Sequence, residues 1–213
     1  MLEQCEAALW AKLQEPKNLW HRTSVQSLER IVQDRNIFPN SGQFGVTYPQ
    51  SKNSYAFRLP AVAIFDFDPS QIKEFMQLSS NWESVLLGKL PGVVIGIDRE
   101  LLDPGKLLLP REIANKDERL SVLGITQGLT IIPSVEALYA GPIPVNTFTS
   151  YVLVGSKDAG GLRWHCEAPG SEGLRALLDC ASAWQLEVDH QRAARHAKND
   201  FTLAEIVDAS FKT

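Results

Sequence analysis

The sequence contains few of the residues that mark several classes of protein. Its 213 residues include three cysteines, Cys5, Cys166 and Cys180, which share no metal-binding spacing and argue against a disulfide framework. No apolar run approaches the roughly 20 residues of a membrane-spanning helix, and the N-terminal stretch is acidic where a signal peptide is basic. These absences predict a cytoplasmic protein with no membrane contact.

Excess positive charge is also missing. The chain has 21 basic and 25 acidic residues, a net charge of −4, so the protein as a whole lacks the electrostatic footprint of a nucleic-acid-binding protein. Only a local basic groove would serve that purpose. The apolar fraction of 44% and the charged fraction of 22% are typical of a folded chain, and the length favours one domain.

The hydrophobic pattern predicts an α+β fold with a mostly antiparallel sheet and helices at both ends. A helix is expected from Val25, with Thr23 and Gln26 at capping-box spacing, and residues 136–139 and 147–154 are expected to pair as strands. Further strands are predicted at residues 19–22, 61–67, 93–97, 129–133 and 162–166, and helices at 2–14, 68–78, from 171 and at 202–210. The polar stretch 43–59 is interpreted as a long loop, which is where function often lies.

The common motifs for phosphate, dinucleotide and zinc-protease chemistry are absent. A metal site would have to draw on His21, His165, His190 and His196, whose spacing fits no zinc pattern, so no metal is expected. Asp66 and Asp68 are interpreted as caps at a strand end. The basic run from His190 to Lys198 is interpreted as a solvated helix end.

One set of residues resembles a known family. His21-Arg-Thr23 at the end of a strand, a capped helix with Leu28-x-x-Ile31, a polar loop with Tyr48 and Tyr55, and Glu136 before an Ile-Pro turn resemble the ADP-ribosyltransferase fold. The likeness is closest to the branch of the DNA-modifying DarT toxins and the RNA 2′-phosphotransferases, and covers roughly residues 18–154. It implies a split sheet and a catalytic domain at 1–155. Residues 156–213 would then be a strand and helical extension packed on it.

The resemblance also implies roles for individual residues, with NAD as the substrate. Glu136 would stabilise the cation that develops on the ribose, His21 would hydrogen-bond the adenosine ribose with Thr23 nearby, and Tyr55, or else Tyr48, would stack on nicotinamide. Ser54 would hold the nicotinamide amide. Arg22 and Arg58 are the arginines available for the branch's basic positions.

Each of these residues also has a structural interpretation. His21 would be a strand histidine with a backbone partner, Thr23 a helix cap, the tyrosines loop anchors and Glu136 a solvated strand residue. Three functions remain open at this point. They are an NAD-dependent mono-ADP-ribosyltransferase that modifies a nucleic acid or a protein, as in toxin or defence systems, an RNA 2′-phosphotransferase, and a non-catalytic module that binds ADP-ribose, a nucleotide or a protein partner.

Overall fold

A computed structural model describes residues 2–40, 43, 54–68, 91–110, 112–113, 135–156 and 162–210. In these residues the chain is α+β, with a mostly antiparallel sheet and helices, as the sequence predicts. The helices are α1 (Leu2–Leu13), α2 (Val25–Asp34), α3 (Tyr55–Arg58) and α4 (Ser171–Ser210). The strands are β1 (Asn18–Thr23), β2 (Asn36–Ile37), β3 (Val62–Phe65), β4 (Gly92–Asp98), β5 (Leu107–Leu108), β6 (Glu136–Tyr139), β7 (Ile143–Pro144), β8 (Phe148–Ser156) and β9 (Leu162–Glu167).

Seven strands form one sheet in the order β5-β6-β3-β1-β4-β8-β9, and every neighbouring pair is antiparallel. Strands β2 and β7 form a separate two-stranded sheet. Central strand β4 is rich in β-branched residues and is buried from Gly92 to Ile97, as expected of a strand with a covered surface on both faces.

The core lies on both faces of the large sheet. On one face Leu19, Ile95 and Leu153 pack with Leu28 of α2 and Leu177 of α4. On the other face Trp20, Phe65 and Val152 pack with Leu9 and Leu13 of α1, and the Trp20 indole donates a hydrogen bond to the Leu13 carbonyl at 2.7 Å. Alternate residues of each strand therefore face different helices.

Gly96 marks a close approach within the second of these faces. A Cβ at this position would lie 2.5 Å from Thr149 Oγ1, 2.7 Å from Ser150 Oγ and 3.1 Å from the Trp20 ring. The register between β4 and β8 shifts at the same point, between Gly96 and Ile97. Glycine is required here because any side chain would collide with the neighbouring strand.

The predicted pairing of residues 136–139 with 147–154 is wrong. Strand β6 pairs with β3 and β5, whereas β8 pairs with β4 and β9. Between them Gly141 adopts a positive φ of 143°, and β7 pairs with β2. This connection carries the chain from one side of the sheet to the other, which a tight hairpin would prevent.

The predicted break between two C-terminal helices is also wrong, because α4 is one helix of 40 residues. Neither glycine nor proline occurs between Leu174 and Ser210, so nothing in the backbone chemistry stops the helix. A further difference is α3, which lies at the end of the predicted loop. The strand predicted at 129–133 and the helix predicted at 68–78 lie outside the described residues.

Candidate functional site

Strand β1, at the centre of the large sheet, forms many register pairs with one neighbouring strand and a single pair with the other. Strands β1 and β4 pair at six consecutive positions, from Asn18↔Asp98 to Thr23↔Val93. Strands β1 and β3, both fully described, share a single register pair, Trp20↔Phe65. We call the segments beyond that pair, residues 21–23 of β1 and 62–64 of β3, the β1–β3 seam. No register pair joins the two segments across the seam, so backbone groups that face it can bond to side chains instead.

His21 occupies this seam. Its Nδ1 lies 2.9 Å from the carbonyl oxygen of Ala63 on β3. Because a carbonyl oxygen only accepts, Nδ1 carries the hydrogen and donates it. Burial lowers the pKa of His21; the hydrogen bond to Ala63 opposes this shift, and the charge of Arg22 adds to it. The ring is therefore neutral near pH 7, and its Nε2 is a hydrogen-bond acceptor.

The sequence assigned two roles to Thr23, the cap of the helix and a position near the ribose. In the structure the cap is Ser24 instead. The predicted capping box is wrong: Ser24 is the N-cap of α2, and its Oγ accepts a hydrogen bond from Ser27 N at 3.1 Å. Thr23 is still extended because it pairs with Val93. It lies two residues after His21, hence on the same face of β1, and its hydroxyl makes no hydrogen bond to the described part of the chain.

Glu136 is the first residue of β6 and is only 5% exposed. The interpretation as a solvated strand residue is therefore wrong. Glu136 lies opposite Phe65, which lies opposite Trp20. Two strand spacings and one residue step put its Cα about 10 Å from that of His21.

The register also decides which face each group is on. Directly opposite residues of antiparallel strands point to the same face. Glu136 therefore shares a face with Phe65 and Trp20, whereas His21, next to Trp20, points to the other face. The structure brings the carboxylate and the imidazole close together along the sheet, but on opposite faces. A single ligand would contact both only by passing through the seam.

Of the two candidate arginines, Arg22 follows His21 directly in the chain, but its side chain is on the opposite face of β1. Arg22 lies opposite Val94 and shares the face of Trp20. Arg58 is exposed at the last position of α3. An RNA 2′-phosphotransferase would need two or more arginines near His21, and these two positions do not supply them from its face of β1.

Helix α3 lies directly before the β3 side of the seam. Ser54 Oγ accepts a hydrogen bond from Phe57 N at 3.1 Å and so caps the helix. Ala61 N bonds back to the Ala56 carbonyl at 3.0 Å, which fixes the path from α3 into β3. Tyr55 is the first residue of α3, and its side chain lies outside the described parts of the structure, as does the whole of Tyr48.

Sequence reasoning interpreted Asp66 only as a cap and missed its ion pair with Arg99. Asp66, immediately after β3, forms an ion pair with Arg99 (Oδ2 to Nη2, 2.5 Å). Its Oδ1 also accepts from Asp68 N at 3.2 Å, and its own N–H bonds to the Val135 carbonyl. The pair Asp66–Arg99 spans 33 positions of sequence, so no local pattern could reveal it. Asp66 thus holds the end of β3 in place.

Within the described ranges, no three His, Cys, Asp or Glu side chains lie close enough together to hold a metal ion. Nor does any helix there have the length and apolar composition to cross a membrane. In comparisons with known proteins, the chain matches no protein-family model, and no curated protein matches its sequence significantly. The assignment of function rests on the residues themselves.

Proposed function

We propose that this chain is an NAD-dependent mono-ADP-ribosyltransferase that modifies a nucleic acid or a protein, and that NAD binds along the β1–β3 seam. The observation that carries the proposal is the seam itself. Two antiparallel strands at the centre of a sheet share one register pair, and a histidine fills the next position. A split sheet is what the family resemblance implies, and His21 and Thr23 line the split.

The polar groups at the seam suit a ribose. Neutral His21 offers Nε2 as an acceptor while Nδ1 is held by Ala63, so the ring is oriented for a hydroxyl donor. Thr23 adds a hydroxyl that both donates and accepts. Two such groups, two residues apart on one strand, match the adjacent hydroxyls of a ribose ring.

The chemistry needs a carboxylate, and Glu136 supplies it. Cleavage of the bond between nicotinamide and ribose develops positive charge on the ribose, much as glycoside cleavage does. A carboxylate fixed in a water-poor environment stabilises that charge more strongly than one in bulk water. Glu136 is 5% exposed at the end of β6 nearest the joined part of β1 and β3, and we assign this role to it.

The test is NAD turnover, followed as nicotinamide release with and without added DNA, RNA and cell lysate. Glu136→Gln keeps the side-chain shape and removes the charge, and we expect it to lower the rate by about 10²–10³-fold. Glu100→Gln is the matched control, because the Glu100 carboxylate is exposed and, among the described residues, forms an ion pair only with Lys17, at 3.8 Å. Circular dichroism and thermal melting establish that both variants remain folded.

Release at wild-type rate in a folded Glu136→Gln variant would contradict the assignment. Release abolished by Glu136→Gln and retained by Glu100→Gln would support it. The additive that stimulates release identifies the acceptor class.

A second candidate function is a module that binds ADP-ribose without cleaving NAD. The specific observation in its favour is the register, which directs Glu136 and His21 to opposite faces of the sheet. Calorimetric titration with ADP-ribose separates the two functions. The binding module predicts affinity that His21→Ala removes and Glu136→Gln leaves unchanged, together with no nicotinamide release under any condition.

A further inference from the structure

The two edges of the large sheet differ in how well they are protected from pairing. Strand β5, at one edge, has two residues. Strand β9, at the other, has six and pairs with β8 at six consecutive positions without a bulge. Natural edge strands are usually shortened, bulged, or interrupted by proline or charged side chains, because an open edge pairs with other strands. Strand β9 contains no proline or glycine, and its charged residues are Arg163 and Glu167, of opposite sign.

Helices cover the two faces next to β9 but do not form strand pairs with it. On one face Trp164 and Cys166 pack against the cluster that contains Leu9 and Leu13 of α1. On the other face the Arg163 guanidinium bonds to Glu187 of α4 and lies 4.4 Å from the Trp184 ring centre. Within the described residues, no strand pairs with the outer side of β9.

Strand geometry limits how β9 could pair with a second copy of itself. In an antiparallel pair, opposite residues both point their main-chain groups toward the partner strand or both away from it. A strand that pairs with its own copy across a two-fold axis must therefore place that axis at a residue, not between residues. For β9 (Leu162–Glu167), axes at Trp164 and at His165 both give an overlap of five residues, and only the axis at His165 places oppositely charged residues opposite each other.

In that register His165, whose Nε2 lies 2.6 Å from Glu167 Oε1 of its own chain, lies opposite His165 of the second copy, and the residues on either side of it are complementary to those of the copy. Arg163 lies opposite Glu167 of the second copy, and this ion pair occurs twice by symmetry. Trp164 lies opposite Cys166 of the second copy on the other face, also twice. Opposite charges and apolar partners directly across a strand pair are the interactions that stabilise antiparallel sheets.

We infer that β9 is a self-association edge, at which two copies of this chain pair antiparallel about His165 to form one continuous sheet. The charged pairs set the register. The interface is isologous, so it closes at the dimer.

Sedimentation velocity over a hundredfold range of concentration tests the inference with the full chain. We expect the wild type to dimerise. Glu167→Arg places like charges opposite each other twice and should raise the dimer dissociation constant by about tenfold or more. Glu29→Arg, an equal change in charge at an exposed position of α2, should leave dimerisation unchanged.

The double variant Arg163→Glu/Glu167→Arg is the decisive measurement. Within one chain the double substitution places a carboxylate at position 163, next to the carboxylate of Glu187, so it does not restore the ion pair between position 163 and Glu187. Between two copies it restores opposite charges, and dimerisation should return to within about threefold of the wild type. A monomeric wild type, equal effects of Glu167→Arg and Glu29→Arg, or a double variant as weak as Glu167→Arg would each overturn the inference. None of these results depends on NAD chemistry.

Discussion

The two sides of the β1–β3 seam are built with unequal amounts of sheet. On one side β1, β4, β8 and β9 have six to nine residues each and share long, nearly continuous ladders. On the other side β3 and β6 have four residues each and β5 has two. Helices pack against both faces of the longer half. The shorter half joins the longer half at one register pair, between β3 and β1. The longer half is therefore the scaffold, and candidate site residues lie where the shorter half joins it.

The largest expected effect compares a leucine from each half. Leu153 of β8 and Leu138 of β6 are both 0% exposed. Leu153 packs in the large cluster with Ile95 and Tyr151, but Leu138 packs in a small cluster with Ala56, Ala61 and Ile113. We expect Leu153→Ala to lower the free energy of unfolding by about 4 kcal/mol and Leu138→Ala by about 2 kcal/mol.

Urea unfolding of the two leucine variants measures this difference. Comparable m-values are required, so that the midpoints report stability and not a changed denatured state. Equal losses, or a larger loss for Leu138→Ala, would show that the shorter half carries as much of the folding free energy as the scaffold.

A smaller effect separates the neighbouring residues at the end of β1. Ser24→Ala removes the cap of α2 and should cost about 1 kcal/mol. Thr23→Val keeps the β-branched shape and breaks no hydrogen bond to the described chain, so its cost should stay below about 0.5 kcal/mol. Thermal melting of the two variants checks the assignment. A larger loss of stability for Thr23→Val than for Ser24→Ala would show that Thr23 is the cap.

The smallest expected effect is on the pH dependence of folding stability and comes from His21 in the β1–β3 seam. The folded protein lowers the pKa of His21 below 6.5, mainly through burial. The unfolded chain therefore binds more protons than the folded chain as the pH falls through 6.5, and stability falls with it. We expect the wild type to lose more stability than His21→Asn between pH 7.5 and 5.5, because asparagine has no charge to gain. Urea midpoints at several pH values provide the measurement, and parallel curves would contradict a buried neutral imidazole.

Local chemistry made much of the fold predictable. Runs of β-branched and aromatic residues located β3, β4 and β8 to within a few residues, because such side chains suit a covered pleated surface. Strands β1 and β9 were also located to within two residues, although they contain no such run. The apolar spacing of Val25, Leu28, Ile31 and Val32 located α2. The cap was misplaced by one position because Thr23 satisfies the capping pattern equally well, and only the pairing with Val93 keeps it in the strand.

The arrangement of the site was much less predictable. His21 and Glu136 could be chosen as residues, but the faces they point to depend on registers among three strands. These registers are set by contacts between distant parts of the chain, and the same holds for the Ala63 carbonyl that holds His21. The roles of Tyr48 and of the Tyr55 side chain stay predictions, since both lie outside the described residues.

The length of α4 has a consequence for how the molecule moves through solution. At 1.5 Å per residue, 40 helical residues measure about 60 Å. A compact chain of 213 residues has a radius of gyration near 17 Å, hence a diameter of about 45 Å. Among the side chains that the structure describes, Trp184 is the last of α4 that packs against the large core cluster. A straight helix of about 60 Å does not fit within a sphere of about 45 Å, so the friction on the molecule exceeds that of a sphere of equal mass.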